Sequence, residues 1–187
     1  MKIIDILIDA GHFLGLEDEI ETLHNLTEET ASFVLETDEK IAKLFNLVKF
    51  SVKELCSNYL PVINNVKIQT ENKEYQLNQF ENFIKIKNVI QNEQAVKYKI
   101  LNRKIIFAED GDYEVNYFTY PQIVSLFDEI DYLSDFCPDV IVFGLCSYFS
   151  LAYGMFEEFE HYHEEYIAKA ESLKGLKNFN LPCRRWE

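Results

Sequence analysis

Glycine is scarce in this chain, with 6 in 187 residues. A loop that cradles phosphate has little to be built from. No Gly-rich phosphate loop, nucleophile elbow or HExxH is present. Cysteine is sparse and poorly spaced for metal. Cys56, Cys137, Cys146 and Cys183 contain no CxxC pair and lie at long, irregular intervals. That argues against a zinc site and against a disulfide framework. Two of the four fall in apolar helical sequence, where a free thiol behaves as a small hydrophobe. Reduced thiols and synthesis in the cytoplasm are the expectation. Positive charge is short too: 18 Lys and Arg stand against 32 Asp and Glu, a net −14. A nucleic-acid-binding surface covering the whole protein is therefore excluded, though a local basic patch is not, because phosphate contacts need clustered Lys and Arg. The N-terminus, Met-Lys-Ile-Ile-Asp-Ile-Leu-Ile-Asp-Ala, has acids inside its apolar run and no basic n-region, so no signal peptide is read there.

Apolar residues are abundant, at 48%, and 14% of the chain is aromatic, which is enough for a real core and too much for disorder. The length suits one domain, residues 1–187, with an inserted subdomain. The longest charge-free run extends from Val140 to Phe156, between Asp139 and the pair Glu157-Glu158. A helix apolar all round must be buried on all sides. The run is slightly short to span a bilayer, and no Lys or Arg stands near its acidic flanks to set an orientation. No membrane partner is expected. Within it Gly144, Ser147, Ser150 and Gly154 fall within about 120° of helical arc. Small residues on one side let another helix approach closely, whether from the same domain or from a neighbouring copy.

Charge divides the chain into three. Residues 1–61 hold 5 basic and 12 acidic residues, residues 62–108 hold 8 and 4, and residues 109–187 hold 5 and 16. The first stretch reads as helical. Ile3, Ile4, Leu7, Ile8 and Ala10 sit at helical spacing, with Gly11 or Gly15 to end that helix. Leu16–Glu36 is acidic and has no clear period. Thr37 or Asp38 caps a second helix, striped by Ile41, Leu44, Val48, Val52, Leu55 and Tyr59 and ended by Leu60-Pro61. In the middle the period changes to two. Apolar residues alternate with lysine in Ile84-Lys85-Ile86-Lys87 and in Val96-Lys97-Tyr98-Lys99-Ile100, the pattern of half-buried strands with a lysine face. Asn102-Arg103 and Asp110-Gly111 are turn dipeptides, and Tyr113–Tyr120 is the last strand. Residues 122–135 predict a short helix. Pro138 suits a helix first turn, and Gly154 stops or bends the charge-free helix. An amphipathic helix over Met155–Leu173 then turns Phe156, Phe159, Tyr162 or His163, Tyr166, Ile167 and Ala170 inward. The fold class is α+β, mainly α: a helical body with a small antiparallel β module of four to five short strands at 62–120, and an extended tail at 176–187. The flanking helices are the available cover for the sheet's apolar face.

Chemistry-bearing clusters are few. Glu160-x-x-His163 has the spacing of a di-iron bundle motif, but no second Glu-x-x-His exists and the other carboxylate ligands are missing. A metal-dependent helical enzyme would use Glu157, Glu160, His161 and Glu164; a solvated acidic face explains the same residues. Neither catalytic residues nor a cofactor are expected, and the reading is a structural protein rather than an enzyme. Lys85, Lys87, Lys97 and Lys99 are the most basic feature. They are either a solvated sheet face, where lysine also guards edges, or a contact with acid, in the first place a neighbouring copy's helices. A regulatory module that binds a protein through these strands is a further reading. The tail Leu181-Pro182-Cys183-Arg184-Arg185-Trp186 carries residue types enriched at interface hot spots.

The order of elements and some local wording resemble a known family. Helices lead through a lysine-rich β module to Tyr120-Pro121. An apolar segment follows with Phe143-Gly144 and Leu151-Ala152-Tyr153-Gly154-Met155-Phe156-Glu157-Glu158, then an aromatic–acidic helix and the Arg184-Arg185-Trp186 tail. From about Leu44 onward this looks like the head–tail connector (adaptor, neck) proteins of tailed bacteriophages and their prophage relatives; Leu16–Glu36 has no counterpart in the likeness. The resemblance implies a homo-oligomeric ring of about twelve copies. Such a ring docks beneath the portal protein in the virion neck. It joins capsid to tail, meets the next neck or tail-completion protein, and lets double-stranded DNA pass without sequence-specific binding. By position, it makes Arg184, Arg185 and Trp186 candidates for a portal contact. Lys85, Lys87, Lys97, Lys99, Gly144 and Ser147 become candidates for contacts between copies.

Overall fold

The computed structural model describes residues 1–130 and 138–177. The chain forms an α+β fold, mainly α, that divides into two compact units. One holds Met1–Leu55 together with the chain from Ile123 on; the other is Cys56–Gln122. The helical unit contains α1 (Ile3–Leu14), α2 (Glu17–His24), α3 (Glu28–Thr37), most of α4 (Glu39–Asn58), α5 (Pro138–Ala152) and α6 (Phe156–Lys177).

Gly15 ends α1 in the left-handed region at φ 67°, where an L side chain is strained. Gly11 serves close packing instead. A Cβ there would lie 2.7 Å from Ile20 Cγ1, so its absence lets α2 close on α1. The acidic Leu16–Glu36 stretch is helical. It buries only Glu19, Ile20, Leu23 and Ala31, too few for a visible stripe. Asp38 caps α4, its Oδ1 accepting from the backbone N–H groups of Lys40 and Ile41 at 3.0 Å each. The expected stripe of Ile41, Leu44, Val48, Val52 and Leu55 is buried, while Tyr59 lies past the end of the helix.

The helix expected over residues 122–135 is not formed in its described part, residues 122–130. Asp128 folds that segment into a turn: its Oδ2 accepts from the N–H groups of Val124 and Ser125 at 2.6 and 2.8 Å. An Asp side chain competes for local backbone donors in this way. The turn then caps α1. Ile3 N donates to Asp128 O at 3.0 Å, Ile4 N to Leu126 O at 2.8 Å, and Ile130 N to Met1 O at 3.0 Å. Donors left over in the first turn of α1 are thereby satisfied.

The β unit holds seven strands among the described residues, more than the four or five expected. A four-stranded antiparallel sheet runs β1 (Val62–Thr70), β7 (Gly111–Thr119), β3 (Phe83–Gln91), β4 (Gln94–Ala95). A three-stranded antiparallel sheet runs β2 (Glu74–Gln76), β6 (Lys104–Ile106), β5 (Lys99–Leu101). One core joins them. Ile68, Ile86, Val89, Tyr113, Val115 and Tyr117 from the larger sheet meet Ile105 of the smaller, with Phe80 and Phe107 between strands. The expectation that helices cover the sheet is therefore corrected: the module supplies its own second layer. Phe107 stacks on Tyr113 at a centroid distance of 4.1 Å, and Phe80 tilts against Tyr117 at 4.9 Å.

Three two-residue turns connect these strands: Asn72-Lys73, Asn92-Glu93 and Asn102-Arg103. Both residues of each have φ between 49° and 65°, the geometry of a type I′ turn. Asp110-Gly111 is not such a turn, because β6 and β7 belong to different sheets. In none of the three is the second position glycine, which that conformation favours. Glu93→Gly should stabilise the protein by about 1 kcal/mol, read as a raised midpoint in chemical denaturation.

Candidate functional site

The lysines of the expected row do not share one sheet face. Lys85 and Lys87 are on β3 of the larger sheet, and Lys99 is on β5 of the smaller. Lys97 lies in the connection between β4 and β5. All four are exposed. The strand read from Val96 to Ile100 is a crossing segment instead, with ladder pairing from Lys99 onward. Val96 and Tyr98 still pack on the module core, so the alternation reports burial correctly and pairing incorrectly. The structure thus leaves Lys97 and Lys99 as one group and Lys85 and Lys87 as another. Lys85 Nζ sits 5.2 Å from the centre of the Phe118 ring.

Gly144 and Ser147 lie inside the helical unit, packed against helices of the same chain. A Cβ on Gly144 would stand 3.1 Å from Tyr166 Cε2 and 3.3 Å from Ser51 Oγ. The line of small residues therefore admits α6 and α4 of the same chain. Ser147 is fully buried, and its Oγ lies 3.3 Å from His163 Nδ1. Cys146 is buried beside Ala10 O, and burial pushes its thiol up to about 12, so it acts as packing rather than as a nucleophile. Burial also raises the Tyr162 hydroxyl, which donates to Phe13 O at 2.9 Å and ties α6 to the end of α1.

Glu54 gathers the polar groups of this interior. Its Oε2 accepts from Tyr148 OH at 2.5 Å and from Tyr166 OH at 3.0 Å. α4, α5 and α6 are joined at that one oxygen. Ser51 and Ser150 are buried nearby in sequence, and their hydroxyl oxygens have no hydrogen-bond partner among the described residues. Buried unpaired hydroxyls cost free energy and add no attraction.

Glu157, Glu160, His161 and Glu164, the residues of the metal-enzyme reading, are all exposed on α6. Among the described residues no group of three or more His, Cys, Asp or Glu converges to hold a metal ion. No helix among them is long and apolar enough to cross a membrane. Arg184, Arg185 and Trp186 lie outside the described residues, as do Cys137 and Cys183.

Two surfaces have no counterpart in the sequence reading. At the turn from α5 to α6, where Gly154 has φ 72°, Leu151, Tyr153 and Phe156 are exposed. The inward orientation expected of Phe156 is thereby corrected. It is the first residue of α6, one turn before the helix meets its packing partners. Lys43 caps this tip, its Nζ 4.0 Å from the centre of the Tyr153 ring. On the β unit, Ile100 and Leu101 are exposed on β5, an edge strand. Hydropathy patterns assume that apolar residues are inside, so neither exposure carries a signal in the sequence.

No protein-family model matches this chain, and no curated protein matches it either.

Gly144→Asp should destabilise the helical unit by about 3 kcal/mol or more, because it buries an unpaired charge against the Tyr166 ring. Thermal unfolding should show a midpoint lower by at least about 6 °C. Glu158→Lys, on the exposed face, should leave the midpoint nearly unchanged.

Proposed function

We propose that this protein is a non-enzymatic virion component, the subunit of a head–tail connector ring in the neck of a tailed bacteriophage. The ring docks beneath the portal protein, extends the DNA channel, and offers a surface to the next neck or tail-completion protein. The observation that carries this reading is the exposed apolar tip of Leu151, Tyr153 and Phe156 at the end of an otherwise buried charge-free helix. A soluble monomer gains nothing from showing such residues together, whereas an assembling subunit does. The helical body with an inserted β module, in the order the resemblance implies, supports the same reading. So does the acidic excess, since a channel wall of like charge lets DNA slide without holding it.

In this proposal Arg184, Arg185 and Trp186 reach the portal, and strand lysines contact a neighbouring copy. A protein-binding regulatory module acting through the exposed Ile100, Leu101 and Lys99 of β5 is the second reading. Co-expression with a tailed-phage portal protein from the same genome separates the two. The connector reading expects a portal-bound ring by mass photometry and electron microscopy. It also expects Arg184→Ala with Arg185→Ala to weaken portal capture at least about tenfold, leaving the melting temperature unchanged. A chain that never binds a portal ends the proposal.

A further inference from the structure

Beside β5 runs a cleft of about 730 Å³, lined by Val96, Tyr98, Ile106 and Phe107, with Lys97 and Lys99 along it. Ile100 and Leu101, 53% and 58% exposed, stand on the same edge strand. Lys97 and Lys99 line it with exposed side chains, and Arg103 is exposed on the β5–β6 turn, while Lys104 is held by Glu74 at 2.5 Å and the acids Glu109 and Asp110 follow Ala108 at its other side. The tip between α5 and α6 is convex, with acids on one side of it and Lys43 over its Tyr153 ring on the other. Phe156, 65% exposed, projects from the first turn of α6 with Tyr153 and Leu151 behind it. Glu157, Glu158 and Glu160 follow directly and are exposed. Phe13 already lies 5.4 Å from the Phe143 ring and Phe50 4.9 Å from Tyr148; Phe33 on α3 is as exposed as Phe156 but has no exposed apolar neighbours on its own turn of chain.

We infer that the occupant of the β5 cleft is a second copy of this chain, which inserts Phe156 from its α5–α6 tip and sets Glu157 and Glu158 against Lys97 and Lys99. An aromatic ring centred in an apolar cleft supplies affinity, and the opposed charges around it fix register and speed encounter. The two surfaces differ, so the contact is heterologous: each copy gives its tip to one neighbour and its cleft to another. Repetition of such a contact closes a ring or extends a filament. The inference deepens the connector proposal by naming the joining surfaces, and it concerns the purified chain alone.

Charge reversal on the full-length protein tests it. Sedimentation velocity should show concentration-dependent association of the wild type that weakens with added salt. Lys99→Glu alone and Glu157→Lys alone should each weaken it roughly tenfold or more. The double variant, which restores opposite charges across the contact, should recover to within about threefold of wild type. Phe156→Ser should weaken association about tenfold with an unchanged circular dichroism spectrum. A wild type that stays monomeric to about 1 mM, or a double variant as weak as either single one, overturns the inference. Failure of portal capture with association intact would count against the connector reading alone.

Discussion

The Tyr166 ring laid across Gly144 is the contact on which the helical unit depends. Without a Cβ at position 144, α5 and α6 approach so closely that a methyl group there would stand only 3.1 Å from the Tyr166 ring. The same approach carries the Tyr166 hydroxyl to Glu54 on α4, where Tyr148 also donates. One missing methyl group thereby sets the spacing of three helices. It also answers the question raised by a helix with no charged face. α5 finds its surroundings in α1, α4 and α6 of its own unit, and apart from Asp139 in its first turn only its last turn is exposed. A fully buried aromatic of this size contributes several kcal/mol, so loosening the contact would remove a large share of a marginal stability.

Charge and burial divide along the same line. The β unit, whose 8 basic and 8 acidic residues balance, closes a core of its own from two small sheets, and the aromatic residues Phe80, Phe107, Tyr113 and Tyr117 do most of the filling. Neither sheet has strands enough to stand alone, but together they bury one face each. The acidic residues concentrate on the helices, above all α6.

Much of the architecture was legible in the sequence where a period was strong. The stripe of α4, the cap at Asp38, the stop at Gly154 and the alternation of β7 all follow from local chemistry that tertiary packing does not override. The failures have specific causes. α2 and α3 bury too few residues to leave a stripe. Residues 122–130 turn because the Asp128 carboxylate takes the backbone donors a helix would need. Val96 and Tyr98 alternate because they sit on a core, and cross-strand bonding stops after Val96 N donates to Val89 O. The small residues of α5 were correctly read as admitting a helix, yet spacing alone could not say whose helix it is. The exposed tip and edge were invisible for a simpler reason: an apolar residue on a surface looks the same in sequence as one inside.

The helical unit is built from two stretches of chain with the whole β unit between them. α1 is capped by the turn at Leu126–Asp128, and Met1 is bonded to Ile130. During synthesis these partners leave the ribosome only after every strand has emerged. The β unit has all its residues available first and can fold while α1 and α4 still wait for α5 and α6. Their apolar faces are thus bare for the time needed to make more than seventy residues, several seconds at ordinary elongation rates. The N-terminal half of this protein is the part that a chaperone would meet.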